Sequence, residues 1–164
     1  MIAVTVAVVA LITVVSISIQ STPIYGVGQD ITLDSGFSAT VLGAPQCGVH
    51  DPEADSSFGP FCEVPARFRN ISSYAYAVGN FTSIGPSSTR YPGEPYSYGV
   101  ELRSNGDYYD FIDATMTSGS YTDQAGQSDT YALYFTVPNG VHPDELEIQT
   151  ETGAQFTIDL LGRS

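Results

Sequence analysis

The sequence predicts a mainly β fold: a two-sheet Greek-key β-sandwich over residues 23–164, preceded by one hydrophobic α-helix over residues 1–22. Three observations lead to it. The run Ile2 to Ile19 carries no charge. From Gly26 onward, short apolar runs are separated by turn signals such as Asp34-Ser35-Gly36, Ser104-Asn105-Gly106 and Pro138-Asn139-Gly140. No later window keeps a helical period of useful length, whereas several keep the two-residue alternation of strands.

The first element is read from its apolar members, Ile2, Val4, Val6, Val8, Val9, Leu11, Ile12, Val14, Val15, Ile17 and Ile19. Its only polar residues are Thr5, Thr13, Ser16 and Ser18, whose hydroxyls can bond to helix carbonyls or to neighbouring helices. As a helix the run is about 27 Å long, close to the ~30 Å of a bilayer's hydrocarbon core. Pro23 ends it. Three roles fit: a secretory signal, a membrane anchor, or the exposed start of a processed chain. No Lys or Arg flanks the run to set a topology, and no Ala-x-Ala site follows. A removed upstream leader supplies the missing signal in the third reading. Twelve of the first nineteen residues are Val, Ile or Thr, so a fourth role is also open: a free strand that fills a groove in the next subunit.

The body then reads strand by strand. Phe37, Ala39 and Val41 alternate with Ser38, Thr40 and Leu42, a strand with one side buried. Val64–Asn70 follows, its start pushed to a sheet edge by Pro65. Tyr74, Tyr76 and Val78 form a third set, and Tyr96, Tyr98, Val100 and Leu102 a fourth. The clearest strand is Thr130–Val137, with Tyr131, Leu133, Phe135 and Val137 on one face. Leu146 with Ile148, then Phe156, Ile158 and Leu160, complete seven or eight strands at a spacing near ten residues. Two sheets must bury these faces against each other.

Composition narrows the function. There are 5 basic residues, all Arg, against 18 acidic ones, a formal net charge of -13. Such a surface repels nucleic acid and lacks the attraction that steers proteins to anionic headgroups. Acidic charge with Arg in place of Lys fits a halophilic setting where salt screens self-repulsion, with an ordinary acidic secreted protein as the alternative. Cys47 and Cys62 flank a Gly- and Pro-rich loop and are expected to form a disulfide, as in an oxidising compartment. A two-thiol metal site is the alternative, with only His50 nearby to assist.

Chemistry is sparse. His50 and His142 belong to no HExxH or triad spacing, and neither GxSxG nor a phosphate-binding glycine loop occurs. The sequence therefore points to no catalytic residue, no cofactor and no resident metal. Asp107, Asp110 and Asp113, and Asp51, Glu53 and Asp55, are acidic clusters that read as solvated faces, with calcium as the sharper alternative. Tyr108, Tyr109, Tyr121, Tyr131 and Tyr134 are either rim residues of a contact surface or strand aromatics. Asn70-Ile71-Ser72 and Asn80-Phe81-Thr82 are glycosylation acceptor triplets, Asn80 being better placed.

Two stretches resemble known families. The uncharged N-terminus is similar to the mature end of archaeal type IV pilins and archaellins, over residues 1–22. It carries Thr5 where bacterial pilins have glutamate. The segments ARFRNIS (Ala66–Ser72), YGVELRSNGDYYD (Tyr98–Asp110) and YALYFTVPNGVHPDELEI (Tyr131–Ile148) resemble the telokin-like immunoglobulin-type domain of secreted prokaryotic proteins. That resemblance implies an immunoglobulin-like sandwich: a strand ending at an Asn, a strand returning through a Gly turn, and a strand leading by Val-Pro into a last hairpin. It implies no activity.

Together these features predict a non-enzymatic subunit of an extracellular, pilus- or archaellum-like filament. Its helix resides in the membrane before assembly and in the core of a homo-polymer afterwards, with the glycosylated acidic sandwich outside. The alternative is a monomeric, membrane-anchored cell-surface domain that binds a surface or glycan ligand.

Overall fold

The computed structural model of the protein describes residues 23–33, 36–49, 60–85, 95–120 and 123–163. The predicted helix from Ile2 to Ile19 lies outside them. So do His50, Asp51, Glu53, Asp55 and Tyr121. Among the described residues there are eleven strands, and no helix is long and apolar enough to cross a membrane.

The strands are β1 (Ile24–Gly26), β2 (Ile31–Thr32), β3 (Phe37–Val41), β4 (Gln46–Val49), β5 (Phe61–Asn70) and β6 (Val78–Ser83), then β7 (Tyr96–Ser104), β8 (Asp107–Ser118), β9 (Ser128–Thr136), β10 (Glu145–Thr150) and β11 (Gln155–Asp159). One sheet runs β1-β11-β10-β7, and the far side of β7 is shared by β6 and the start of β8. The other runs β2-β3-β5-β9-β8, with β4 on the first part of β5. Strand β8 belongs to both. Its first residues pair with Glu101–Ser104 of β7, and from Phe111 onward it pairs with β9. Register shifts between Phe111 and Asp113 and between Met116 and Ser118 bend it, as bulges do at sandwich corners.

The alternation that predicted strands also fixes the core. Tyr98, Val100, Leu102, Leu146 and Ile148 on one sheet face Phe37, Val64, Phe68, Leu133 and Phe135 on the other, all fully buried. Phe68 stacks on Tyr98 with ring centroids 5.4 Å apart, joining the sheets. The β7–β8 hairpin turns on Asn105 and Gly106, at φ 51° and 89°. Two left-handed residues make the turn whose twist matches the strands, and Asn-Gly is the pair that tolerates it.

Several sequence expectations need correction. β3 is buried on both faces, not one: Ser38 and Thr40 are covered, and the Thr40 hydroxyl donates to the Asp30 carboxylate. β5 is a central strand, flanked by β3 and β4 on one side and β9 on the other. Pro65 is tolerated there because its backbone faces the gap between β3 and β4. Its carbonyl accepts Leu42 N–H at 2.8 Å, and its absent N–H would point the same way. The third predicted strand starts later, at Val78; Tyr76 makes only an isolated bridge with Asp123, and Tyr74 is exposed. Strand β8, the longest, begins as the return expected after the Gly106 turn but continues to Ser118, through residues that the sequence marks only by the acidic spacing of Asp107, Asp110 and Asp113.

Candidate functional site

A concavity among the described residues lies where β8 leaves the first sheet while β6 stays in it. The two strands bound a groove of about 400 Å³. One wall is the unbroken stretch Phe111–Met116 of β8; the other is Val78, Asn80 and Phe81 of β6, with Tyr131 reaching in from β9. Along the chain the walls begin next to the β7–β8 pairing of Glu101 with Asp110 and the isolated bridge of Tyr76 with Asp123. Among the described residues β6 pairs only with β7, and β8 beyond Phe111 only with β9, so both walls present unpaired strand edges. The floor is aromatic: Phe81 lies 5.0 Å from the Phe68 and Tyr131 rings and 6.3 Å from Phe111. The buried Thr115 Oγ1 has no hydrogen-bond partner, and Asp113 Oδ1 accepts the Ala114 N–H at 2.8 Å.

Tyr131 ties the groove to a buried acidic pair. Its hydroxyl lies 3.5 Å from the Val78 carbonyl and 3.4 Å from Asp129 Oδ2. Asp129 Oδ1 accepts the Ser120 N–H at 2.7 Å and fills the space where a Cβ on Gly119 would stand, so position 119, at φ 127°, admits only glycine. Asp123 and Asp129 are 1% and 0% exposed. Burial pushes the Asp123 carboxyl up to about 6, and the charge and hydrogen bond of neighbouring Asp129 add to the rise. This pair was not found from sequence, because it depends on a loop folding back onto β9. Closed off from solvent, it has no route to a substrate and acts as a structural latch beside the groove.

The two acceptor triplets separate sharply. Asn70, the last residue of β5, is fully buried. Its Nδ2 donates to the carbonyls of Tyr74 at 2.7 Å and Asp123 at 2.8 Å, and its Oδ1 accepts the Ser72 N–H at 2.9 Å. An amide so enclosed has no room for a glycan in this fold. The expectation of Asn70 as an acceptor is therefore corrected: the triplet is an Asx turn that ties β5 to the 123–127 loop. Asn80 is exposed on β6, at the lip of the groove.

Cys47 and Cys62 are disulfide-bonded, joining cross-strand partners of β4 and β5. Asp107, Asp110 and Asp113 do not converge, because three-residue spacing on a strand alternates faces and a bulge falls between Phe111 and Asp113. Among the described residues no three metal-ligating side chains gather. His142 is exposed. Tyr131 and Tyr134 are buried strand aromatics, whereas Tyr108 is exposed beneath the Arg103 guanidinium, 4.5 Å from its ring centre.

No protein-family description matches the chain, and no curated protein matches it significantly. Among solved structures it is similar to an uncharacterized β-sandwich protein from Clostridium difficile 630. The TM-score is 0.50 at 9% identity, covering 86% of this chain and 97% of that one. That likeness shows the fold, a β-sandwich, and nothing of activity.

Proposed function

We propose that the chain is a non-enzymatic subunit of an extracellular assembly, polymerised through residues 1–22 with the acidic sandwich outside. The observation carrying this reading is a mismatch within one chain. An uncharged run from Ile2 to Ile19 joins, through Pro23, a body of two packed sheets whose core draws on residues Ile31–Leu160. An apolar run of that length must be kept from water, and about 18 residues offer enough area to drive association or membrane insertion. Lipid holds it before assembly; other copies hold it afterwards. The order of the strands supports a variant of the immunoglobulin-like Greek key: the β10–β11 hairpin packs beside β7, and β1 runs parallel to the last strand, β11, at the edge of the first sheet. The exposed Asn80 supports a glycan on the outer surface.

The test is the mature N-terminal residue together with negative-stain images of the source cells. Fibres that contain this chain, starting at or near Met1, are the expected result. A detergent-extracted, monodisperse species without fibres overturns the proposal and favours the anchored surface domain.

A further inference from the structure

We infer that the groove between β6 and β8 receives, by strand addition, the apolar N-terminal segment of a second copy of the chain. The inference rests on the reading of the chain as an assembling subunit and says where the segment goes.

Consider first what the groove offers. A pocket for a small molecule is lined by side chains scattered in sequence; this one is walled by six consecutive residues, Phe111–Met116, whose strand edge carries no ladder among the described residues. Unpaired strand backbone is recognised by another strand. Ile112 is 41% exposed on this edge, and Phe111, Ala114 and Met116 are only partly buried against the core. An incoming apolar strand covers them and meets the unpartnered Thr115 hydroxyl. The edge is guarded: bulges break the register at both ends, and Asp113 occupies the Ala114 N–H. Such devices discourage casual pairing, so the right donor must displace the Asp113 carboxylate from that amide.

The donor is argued from composition and from where it leaves the body. Residues 2–19 are uncharged, and twelve of the first nineteen are β-branched, the types that favour strands. Eighteen extended residues reach about 60 Å, ample for a six-residue register of about 20 Å with a linker to spare. The segment joins the body at β1, which is the edge of the first sheet opposite to β6. Donor exit and acceptor groove thus lie on opposite edges. That arrangement is heterologous, and repeated head to tail it gives an open polymer wherever its rotation does not close a ring.

The test mixes two full-length variants, Val8→Cys and Ile112→Cys, each carrying the native Cys47–Cys62 disulfide, under mild oxidation during assembly. Heterodimers on a non-reducing gel, formed only in the mixture, are expected. A third full-length variant, Ile112→Lys, places a charge on the exposed edge; it should melt like the parent yet lose at least tenfold in polymer yield. Fibres that form without the cross-link and are indifferent to Ile112→Lys overturn strand addition while leaving the assembly reading standing. A cross-link within one chain, in a doubly substituted protein, overturns it in favour of self-insertion. Absence of any polymer from the parent chain removes the assembly reading and this inference with it.

Discussion

Asn70 and Asn80 begin triplets of the same form, yet their side chains have opposite fates, and the difference is one of partners. Replacing Asn70 with alanine takes the acceptor from the Ser72 amide and one donor each from the Tyr74 and Asp123 carbonyls, which keep the Ser72 hydroxyl and the Tyr76 N–H; it should cost about 1–3 kcal/mol in urea denaturation. Asn80→Gln should stay within about 0.5 kcal/mol of the parent, and only this variant should lose glycan mass in intact-protein spectrometry. The Asp123–Asp129 pair carries a pH signature. Asp123 holds its proton more tightly folded than unfolded, with a carboxyl raised from 3.8 to about 6. Its stabilising contribution is therefore full below about pH 4 and is lost as pH rises through about 6, a change of up to roughly 3 kcal/mol. Asp123→Asn should remove that component: the variant gains on the parent between pH 4 and 7, as read from urea midpoints across the range. An unchanged difference across those pH values counts against the shared-proton latch. The sequence offers both asparagines as acceptors and favours Asn80, but neither the burial of Asn70 nor the pairing of Asp123, one acid among 18, was legible in it.

At the scale of the element, local pattern carried much of the information. Tyr96, Tyr98, Val100 and Leu102 alternate with polar neighbours, and β7 buries that parity and no other. Asn105-Gly106 demands a tight hairpin and makes one. The three segments that resemble the telokin-like domain do end at Asn70, turn at Gly106, and pass through Val137-Pro138 into the last hairpin. What pattern missed are properties of pairing. Pro65 reads as an edge residue until the gap between β3 and β4 is known, and β8 beyond Asp110 escapes because its bulges interrupt alternation. Burial also separates two aromatics of similar sequence context. Phe135→Ala should cost about 3–5 kcal/mol, since the side chain is fully enclosed. Phe156, only partly buried beside Tyr25, should cost about 1–2 kcal/mol. Reducing the Cys47–Cys62 bond, which spans 15 residues, should lower stability by about 3 kcal/mol, visible as a lower melting temperature in reductant.

Over the whole molecule, the decisive contrast is between a body carrying a net charge of -13 and a leading run that carries none. Repulsion between such bodies keeps them apart unless salt screens it or a specific contact overcomes it. Assembly should therefore strengthen with ionic strength, whereas contacts built on ion pairs would weaken. The proposed assembly requires that the sandwich fold without residues 1–22 and that this segment serve other molecules. Sedimentation velocity of the chain beginning at Pro23, beside the full-length chain and in matched high salt, tests it most directly. The shortened chain should run as a compact monomer of about 140 residues, with a cooperative melt like that of the parent, while the full chain sediments as polymers. A shortened chain that runs expanded and melts without cooperativity, or a full chain that stays monomeric without detergent, would place the apolar segment inside its own body and contradict the account.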